Sequence, residues 1–182
     1  ISSYLIAEEH LAGNVCRATL IDGVLAGFFK AQAPTLVGDG VKTIRELIVE
    51  ADQKRSNRVM PIRISKELQD HIFRSGFTLD GILPNGISLP LTHRMGRLFG
   101  GTTKEMIEEI NPSFIPIFKK AAEAVGLSVV GFDAIIEDPT KPASSQKWGI
   151  IECNTLPFID LHYYTLHGTH RNIAGMIWDM WK

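Results

Sequence analysis

Cysteine is scarce in this sequence of 182 residues, and its two positions, Cys16 and Cys153, lie far apart. Without a CxxC pair, neither a structural zinc site nor a disulfide framework is expected. A long apolar run is also missing, because none approaches the roughly 20 residues that a membrane-spanning helix needs. No signal peptide is recognisable either. We therefore expect a cytoplasmic protein that has no membrane partner.

Neither sign of charge is in excess, since 19 basic residues stand against 20 acidic ones and the net charge is −1. The positive excess typical of nucleic-acid binding is lacking, so no nucleic-acid partner is expected. The apolar content of 45% is enough for one sizeable core or two small lobes. The chain begins at Ile1 rather than at a methionine and opens directly into an apolar stretch, so we interpret it as a fragment.

Two apolar, β-prone runs in the C-terminal half each contain an acidic residue. Val129–Ile136 contains Asp133, and Trp148–Asn154 contains Glu152. Both runs are predicted to be buried strands, and the turn-rich segment between them favours an antiparallel hairpin. Because residues two apart on a strand share a face, Asp133, Glu152 and Asn154 can converge. Two carboxylates and an amide oxygen suit Mg²⁺ bound to nucleotide phosphates. The alternative is two buried strands whose acids form salt bridges or lie at strand ends.

The rest of the chain mixes strand and helix signals. The Asp22-Gly23 pair between two apolar runs predicts a hairpin of Cys16–Ile21 with Val24–Ala31. Further strands are predicted over Tyr4–Ala7 and near Ile87–Leu91. Helices are predicted after the capping box Thr43-Ile44-Arg45-Glu46, over Ser65–Arg74, over Pro112–Val125 with an apolar stripe, and over Arg171–Trp181. The strand links are often hairpins, so the predicted class is α+β with a largely antiparallel sheet flanked by helices.

Several short motifs follow one another in a characteristic order. They are Ala7–Gly13, Val37–Gly40 with Thr43–Ile48, Gly100–Thr103 with Asn111-Pro112, Gly131–Asp133, and Ile151–Asn154 with Pro157, His162, Gly168 and Arg171. In this order and spacing they resemble the ATP-grasp ligases, closest to the cyanophycin-synthetase and glutathione-synthetase type. The resemblance implies that residues 1–182 are the C-terminal part of an ATP-grasp domain. It also implies that the upstream subdomain, which closes over the phosphates, is missing from this chain.

The resemblance implies an ATP- and Mg²⁺-dependent ligase that joins a carboxylate to an amine through an acyl phosphate. Its partners would be ATP and a small carboxylate or an amino-acid or peptide substrate, and a homo-oligomer is compatible with the sequence. Asp133, Glu152 and Asn154 would bind the metal ion. Such phosphoryl transfer depends on positioning and charge neutralisation more than on covalent catalysis by side chains.

The resemblance also implies roles for residues outside the hairpin. A hinge that grips adenine and ribose would consist of Glu8, Glu9, His10 and Leu11. Lys30 is the candidate cation for the triphosphate or acyl phosphate, with a solvated lysine at a strand end as the alternative. Arg17 would contact phosphate or substrate, with an ordinary cross-strand ion pair as the alternative. His162 and Arg171 would orient a substrate carboxylate, a role that suits the planar fork of arginine.

The sequence departs from the family pattern at several positions. Val15 stands where many relatives carry an acidic residue for the ribose, and Met95–Phe99 replaces a loop rich in asparagine and serine. Phe158 and Asp160 replace a glycine and a basic residue, which puts the substrate in doubt. These departures leave open a non-catalytic nucleotide-binding or interaction domain derived from the fold.

Two further points concern the choice of substrate branch. Arg94 and Arg97 lie in the irregular loop before Gly100-Gly101 and are candidates for contact with the substrate. The D-alanine–D-alanine ligase branch is disfavoured, because Gly131 occupies the position where that branch usually carries an arginine.

Overall fold

The computed structural model describes residue 5 and residues 7–182. The strands are β1 (Asn14–Ile21), β2 (Val24–Gln32), β3 (Thr35–Val37), β4 (Ser88–Pro90), β5 (Thr102–Glu105), β6 (Val129–Ile136) and β7 (Trp148–Asn154). The helices are α1 (Ile44–Lys54), α2 (Lys66–Arg74), α3 (Ile115–Val125), α4 (Asp160–Tyr163) and α5 (Ile173–Asp179). Two compact units result: one combines the chain up to Lys30 with Glu105–Lys182, and the other is Ala31–Lys104. Of the predicted strand Tyr4–Ala7, Tyr4 and Ile6 lie outside the residues that the structure describes.

The main sheet has five strands in the order β5-β2-β1-β6-β7. Both β1 with β6 and β6 with β7 pair antiparallel. The predicted first hairpin is present: Asp22 and Gly23 have φ of 48° and 74°, the left-handed geometry of a two-residue turn that matches strand twist. The predicted α+β class with a largely antiparallel sheet flanked by helices is confirmed.

Helix α3 covers the apolar face of the sheet in the first unit. A short 3₁₀ turn, Pro112–Phe114, leads into it, and Gly126 ends it in the left-handed conformation. The side chains of Phe118 and Ala122 pack into one cluster with buried residues of β1 and β6. Val125, expected at the end of the apolar stripe, is 42% exposed and does not belong to this cluster.

A smaller apolar cluster joins the first hairpin to α5. In this cluster Ile173 of α5 packs with the buried Ile21 and Ala26 of the hairpin. The terminal helix is shorter than predicted, since regular structure ends at Asp179. Among the described residues, no helix is both long enough and apolar enough to span a membrane.

The second unit has its own core, formed by α1, α2 and the antiparallel pair of β3 and β4. The predicted capping box is complete: Thr43 accepts from the amide of Glu46, and the Glu46 carboxylate accepts from the amide of Thr43. Ser65 caps α2 by accepting from the amide of Leu68. The two helix starts predicted from capping residues are therefore confirmed.

The expectation that β7 is buried is wrong. Ile150 and Ile151 are 36% and 55% exposed, and Glu152 and Cys153 are exposed as well. The reason is the position of β7 as the last strand in the sheet order. Its branched apolar residues favour a β-strand, but they do not indicate that the strand is buried.

Candidate functional site

A register shift in the β6–β7 hairpin sets the position of the predicted metal ligands. Asp133 pairs with Glu152, but the next pair toward the turn is Ala134 with Ile150. Ile151 is therefore an extra residue in β7, which makes this point a β-bulge. Bulges are frequent beside active sites because they change the direction of neighbouring side chains.

The bulge decides which face Glu152 occupies. In an unbroken register Glu152 would stand opposite Phe132, which belongs to the core and is 2% exposed. A one-residue slip moves a side chain to the other face of a sheet, so the bulge places Glu152 on the face of Asp133. Asn154, two residues further on and paired with Gly131, shares that face.

Arg17 holds Asp133 from the neighbouring strand. Its Nε donates to Oδ1 of Asp133 at 2.5 Å and its Nη2 donates to Oδ2 at 2.8 Å. The two residues are direct partners in the β1–β6 register. Gly131 makes room for this pair, because a Cβ there would lie 3.2 Å from Cδ of Arg17 and 2.8 Å from Cβ of Pro157. The cross-strand ion pair considered as the alternative for Arg17 is thus present.

The carboxamide of Asn154 lies between the two carboxylates. In one orientation its Nδ2 is 3.5 Å from Oδ2 of Asp133. In the reversed orientation the nitrogen donates to Oε1 of Glu152 at 2.9 Å, and the oxygen accepts from Nη2 of Arg17 at 3.3 Å. The structure therefore brings Asp133, Glu152, Asn154 and Arg17 together, and we call these four residues the carboxylate cluster.

The donor atoms of the carboxylate cluster fit a hard divalent cation. Mg²⁺ prefers oxygen ligands and commonly takes one or two carboxylates together with substrate phosphates and water. Within residues 7–182 no group of three or more His, Cys, Asp or Glu side chains suits a metal ion. A cation at this cluster would need oxygen ligands in addition to the two carboxylates and the amide.

The predicted adenine hinge precedes β1 as an irregular segment. Glu8, Glu9 and His10 are all exposed. The carboxylate of Glu9 forms an ion pair of 2.7 Å with Lys147, and this hydrogen bond and charge hold the pKa of Glu9 below its ordinary value. Glu9 is therefore tied to the start of the second hairpin, whereas Glu8 and His10 present their side chains to solvent.

Leu11 packs against the same strand that carries Glu152. A Cβ on Gly149 of β7 would lie 2.8 Å from Cδ1 of Leu11, so the hinge passes directly over this glycine. Gly149 and Glu152 are three positions apart, which corresponds to roughly 10 Å along an extended strand. Leu11, in the predicted hinge, and the carboxylate cluster thus lie at neighbouring positions of β7.

Lys30, near the end of β2, is partly exposed. Burial raises the pKa of the Cys16 thiol to about 12, and the nearby charge of Lys30 opposes this rise. Lys30 forms no ion pair with any residue that the structure describes. Its ammonium group therefore has no carboxylate partner among the described residues. This agrees both with a cation that binds phosphate and with a solvated lysine at a strand end.

His162 lies in the interior and not at the surface of the site. Its Nδ1 is 2.6 Å from Oε2 of Glu105, and its Nε2 is 2.7 Å from Oγ1 of Thr19. The side chains of His162 and Glu105 are 0% and 1% exposed. We call His162, Glu105 and Thr19 the buried network. His162 was predicted to orient a substrate carboxylate, but a direct contact does not agree with this burial, because both ring nitrogens already have partners.

The buried network is satisfied throughout. The second carboxylate oxygen of Glu105, Oε1, accepts from the amides of Phe28 at 2.8 Å and Ile107 at 3.2 Å. Complete hydrogen bonding is the rule for buried polar groups that stabilise a fold. Sequence reasoning missed Glu105, which follows two threonines and a lysine without an apolar pattern. Thr19 had a signal, since it is a single hydroxyl inside an apolar run.

Arg171 is connected to the buried network through the backbone. Its amide donates to the carbonyl of His162 at 3.0 Å, and its Nε donates to the carbonyl of Ala26 at 3.1 Å. The side chain is partly buried. The loop between His162 and Arg171 is therefore held to the first hairpin at both of its ends.

The chain is similar to known proteins both in fold and in sequence. No family model matches this chain. The fold is that of a bifunctional glutathione synthetase from Pasteurella multocida, whose crystal structure aligns with a TM-score of 0.75 and 23% identity, over 94% of this chain and 25% of that one. The resemblance to ATP-grasp ligases of the cyanophycin-synthetase and glutathione-synthetase type is confirmed.

Two curated relatives make the resemblance specific. The chain is 28% identical to a cyanophycin synthetase from Synechocystis over 185 residues, 98% of this chain and 21% of the relative. It is 30% identical to the bifunctional glutathione biosynthesis protein GshAB from Streptococcus mutans over 183 residues, 95% of this chain and 24% of the relative. The chain thus spans between a fifth and a quarter of the length of these relatives.

Proposed function

We propose that residues 1–182 are the C-terminal part of an ATP-grasp domain in an ATP- and Mg²⁺-dependent ligase that joins a carboxylate to an amine. The observation that carries this proposal is the β-bulge, which places Glu152 and Asn154 on the face of Asp133. Support comes from the synthetases that the chain resembles over almost its whole length. The substrates would be ATP and a small carboxylate or an amino-acid or peptide substrate, with an acyl phosphate between them.

In this proposal Asp133, Glu152 and Asn154 hold the metal ion through their oxygen atoms. Bound there, Mg²⁺ would neutralise charge on the nucleotide phosphates and orient them. Arg17 fixes the orientation of the Asp133 carboxylate, and a guanidinium has further N–H groups that suit phosphate oxygens. Cations placed in advance around a transferring phosphoryl group stabilise its charge without reorganisation during the reaction.

The nucleotide would lie along β7, with its base at the hinge and its phosphates at the carboxylate cluster. Glu8 and Glu9 would bind the ribose or the adenine edge, and the backbone around His10 and Leu11 would hydrogen-bond to adenine. For Glu9 this requires loss of its ion pair with Lys147, which is exposed and therefore weak. Lys30 would supply a cation for the triphosphate or the acyl phosphate.

The substrate side of the proposal changes for His162. Arg171 would bind a substrate carboxylate with the N–H groups of its guanidinium that remain beyond Nε. His162 would act on it indirectly, because it fixes the loop that carries Arg171 through Glu105 and Thr19. His162 is thus a positioning residue in this proposal.

A second function, nucleotide binding without catalysis, has one observation in its favour. Arg17 occupies both oxygen atoms of Asp133, so a cation would have to share this carboxylate with a guanidinium. A domain of this kind would bind a nucleotide and release no ADP.

The test is turnover in the protein that carries the complete domain. It is incubated with ATP, Mg²⁺ and mixtures of amino acids and dipeptides, and ADP release is measured. We expect Asp133→Asn and Glu152→Gln to lower ADP release about 100-fold each, because each removes charge stabilisation at the phosphates. Glu123→Gln, on the exposed side of α3, is the matched control and should leave the rate unchanged.

Two results would reject the ligase. One is the absence of ADP release with every mixture, and the other is an unchanged rate in both carboxylate variants. Binding of ATP without turnover would instead support the non-catalytic alternative. In that case titration of the 182-residue chain with Mn²⁺, followed by electron paramagnetic resonance, would still show whether the carboxylate cluster binds a cation.

A further inference from the structure

The second unit, residues 31–104, contains a cavity of about 430 Å³. This volume lies within the range of small-molecule sites, roughly 300 to 1,000 Å³. Three arginines line it, Arg63, Arg74 and Arg94. The cavity also has exposed apolar side chains at its rim, since Met60, Leu98 and Phe99 are 44%, 72% and 41% exposed.

The positive charges of this cavity are mostly uncompensated. Glu67 is the carboxylate in its lining, and its Oε1 lies 3.5 Å from Nη2 of Arg94 in an exposed pair. Arg74 donates to the backbone carbonyl of Asp70. Within the described part of the chain, Arg63 forms no ion pair. Three arginines and one weakly held carboxylate therefore line this cavity.

Two histidines, His71 and His93, also line the cavity. The rings of His71 and His93 meet edge to face with centroids 4.4 Å apart. Burial lowers the pKa of His71, and the charges of His93 and Arg74 lower it further. His71 and His93 therefore lie among the arginines of the lining, where their rings can report binding of an anion.

Two other cavities of the second unit serve as internal controls. One, of about 410 Å³, includes Asp52 and Arg55, which pair with each other at 3.1 Å. Another, of about 350 Å³, includes Glu50 between Lys42 and Lys54, at 2.6 and 2.5 Å. In both cavities the charges are satisfied within the chain, which is not the case for the cavity of the three arginines.

We propose that the arginine-lined cavity binds the carboxylate of an amino acid or peptide that has an apolar side chain. The guanidinium groups of Arg63 and Arg94 bind the carboxylate, because their planar fork matches its two oxygens. Arg94 lies over the ring of Phe99, 5.4 Å from its centroid, which limits its freedom before binding. Met60, Leu98 and Phe99 cover the apolar side chain of the ligand.

The choice of an amino acid or peptide rests on the proposed ligase function, whereas the preference for an anion rests on the cavity alone. The test therefore uses neither ATP nor metal ion. The 182-residue chain is titrated at constant pH with N-acetyl-L-leucine, with its uncharged amide and with inorganic phosphate. Imidazole proton signals of His71 and His93 are followed by nuclear magnetic resonance.

We expect N-acetyl-L-leucine to shift both histidine signals to saturation, and the amide to leave them in place. Arg63→Gln and Arg94→Gln should each weaken this binding about tenfold, as expected for loss of a charged hydrogen bond. Arg45→Gln, at an exposed ion pair of the same unit outside this cavity, is the matched control and should bind like the parent chain. Arg63→Gln removes no intramolecular ion pair with a described residue, and urea unfolding of the variant checks that it folds like the parent chain.

Equal binding of the acid and its amide, or unchanged binding in both variants, would overturn the proposal. Phosphate that binds as tightly as the acid would also overturn it, because the site would then recognise charge without the apolar part. Binding of the acid together with a complete lack of ADP release would keep this site and reject the ligase.

Discussion

The carboxylate cluster and the buried network each join an acid to a base, yet they differ in access to solvent. Arg17 and Asp133 are 12% and 15% exposed beside the exposed Glu152, whereas His162 and Glu105 are 0% and 1% exposed. In the buried network each polar atom has a partner inside the protein. Complete burial therefore suits a structural role, whereas partial exposure leaves oxygen atoms such as those of Glu152 available to a ligand.

The strongest test of this comparison is removal of His162. His162→Ala leaves Glu105 and Thr19 without their partner in the interior, and loss of one member of a buried pair costs about 3 kcal/mol. We expect a decrease of this size in the free energy of unfolding, measured with urea. His170→Ala, an exposed histidine in the same loop, is the control and should change little.

The same variant distinguishes a structural role from a role in binding. Below the urea transition, His162→Ala should bind Mn²⁺ as the parent chain does, because His162 does not touch the carboxylate cluster. Unchanged stability of His162→Ala would contradict the structural role of the buried network. Loss of Mn²⁺ binding in the folded variant would contradict the separation of that network from the carboxylate cluster.

A smaller effect is expected from Arg17→Gln. Loss of the two-bond pair with Asp133 should lower the free energy of unfolding by about 1.5 kcal/mol, the usual contribution of a charged hydrogen bond. Because a positive charge leaves the site, Mn²⁺ should bind severalfold more tightly to the chain without nucleotide. Urea unfolding and electron paramagnetic resonance measure the two effects. Weaker Mn²⁺ binding would show that Arg17 supports the cation and does not compete with it.

The two cysteines also differ in their exposure to solvent. Cys153 is exposed in β7, whereas Cys16 is buried and its pKa is raised from 9.0 to about 12. At pH 8 a thiol reagent should modify one cysteine in the native chain and two in denaturant. Modification of both thiols at equal rates in the native chain would contradict this assignment.

The raised pKa of Cys16 also predicts a dependence of stability on pH. The unfolded chain loses this proton first, so the contribution of the neutral thiol is complete below pH 9 and is lost between 9.0 and about 12. At pH 10 the loss amounts to about 1 kcal/mol. Cys16→Ala should remove this part of the pH dependence, and an unchanged dependence in that variant would contradict the assignment.

Local features of the fold were predictable because short-range patterns encode them. The Asp22-Gly23 turn, the capping box at Thr43 and the end of α3 at Gly126 each depend on neighbouring residues along the chain. The second hairpin was predictable for the same reason. Its exposure was not, because the place of β7 in the sheet order depends on strands distant in sequence.

For the candidate site, the shared face of Glu152 and Asn154 could be predicted from their spacing, because side chains two apart on a strand point the same way. The tertiary structure was needed to show that this face is also the face of Asp133, because the bulge at Ile151 arises from the pairing of two strands. It likewise decided that Arg17 holds Asp133 and that His162 is buried against Glu105. Such contacts join residues more than 50 positions apart, and no local pattern specifies which distant side chain completes a hydrogen bond.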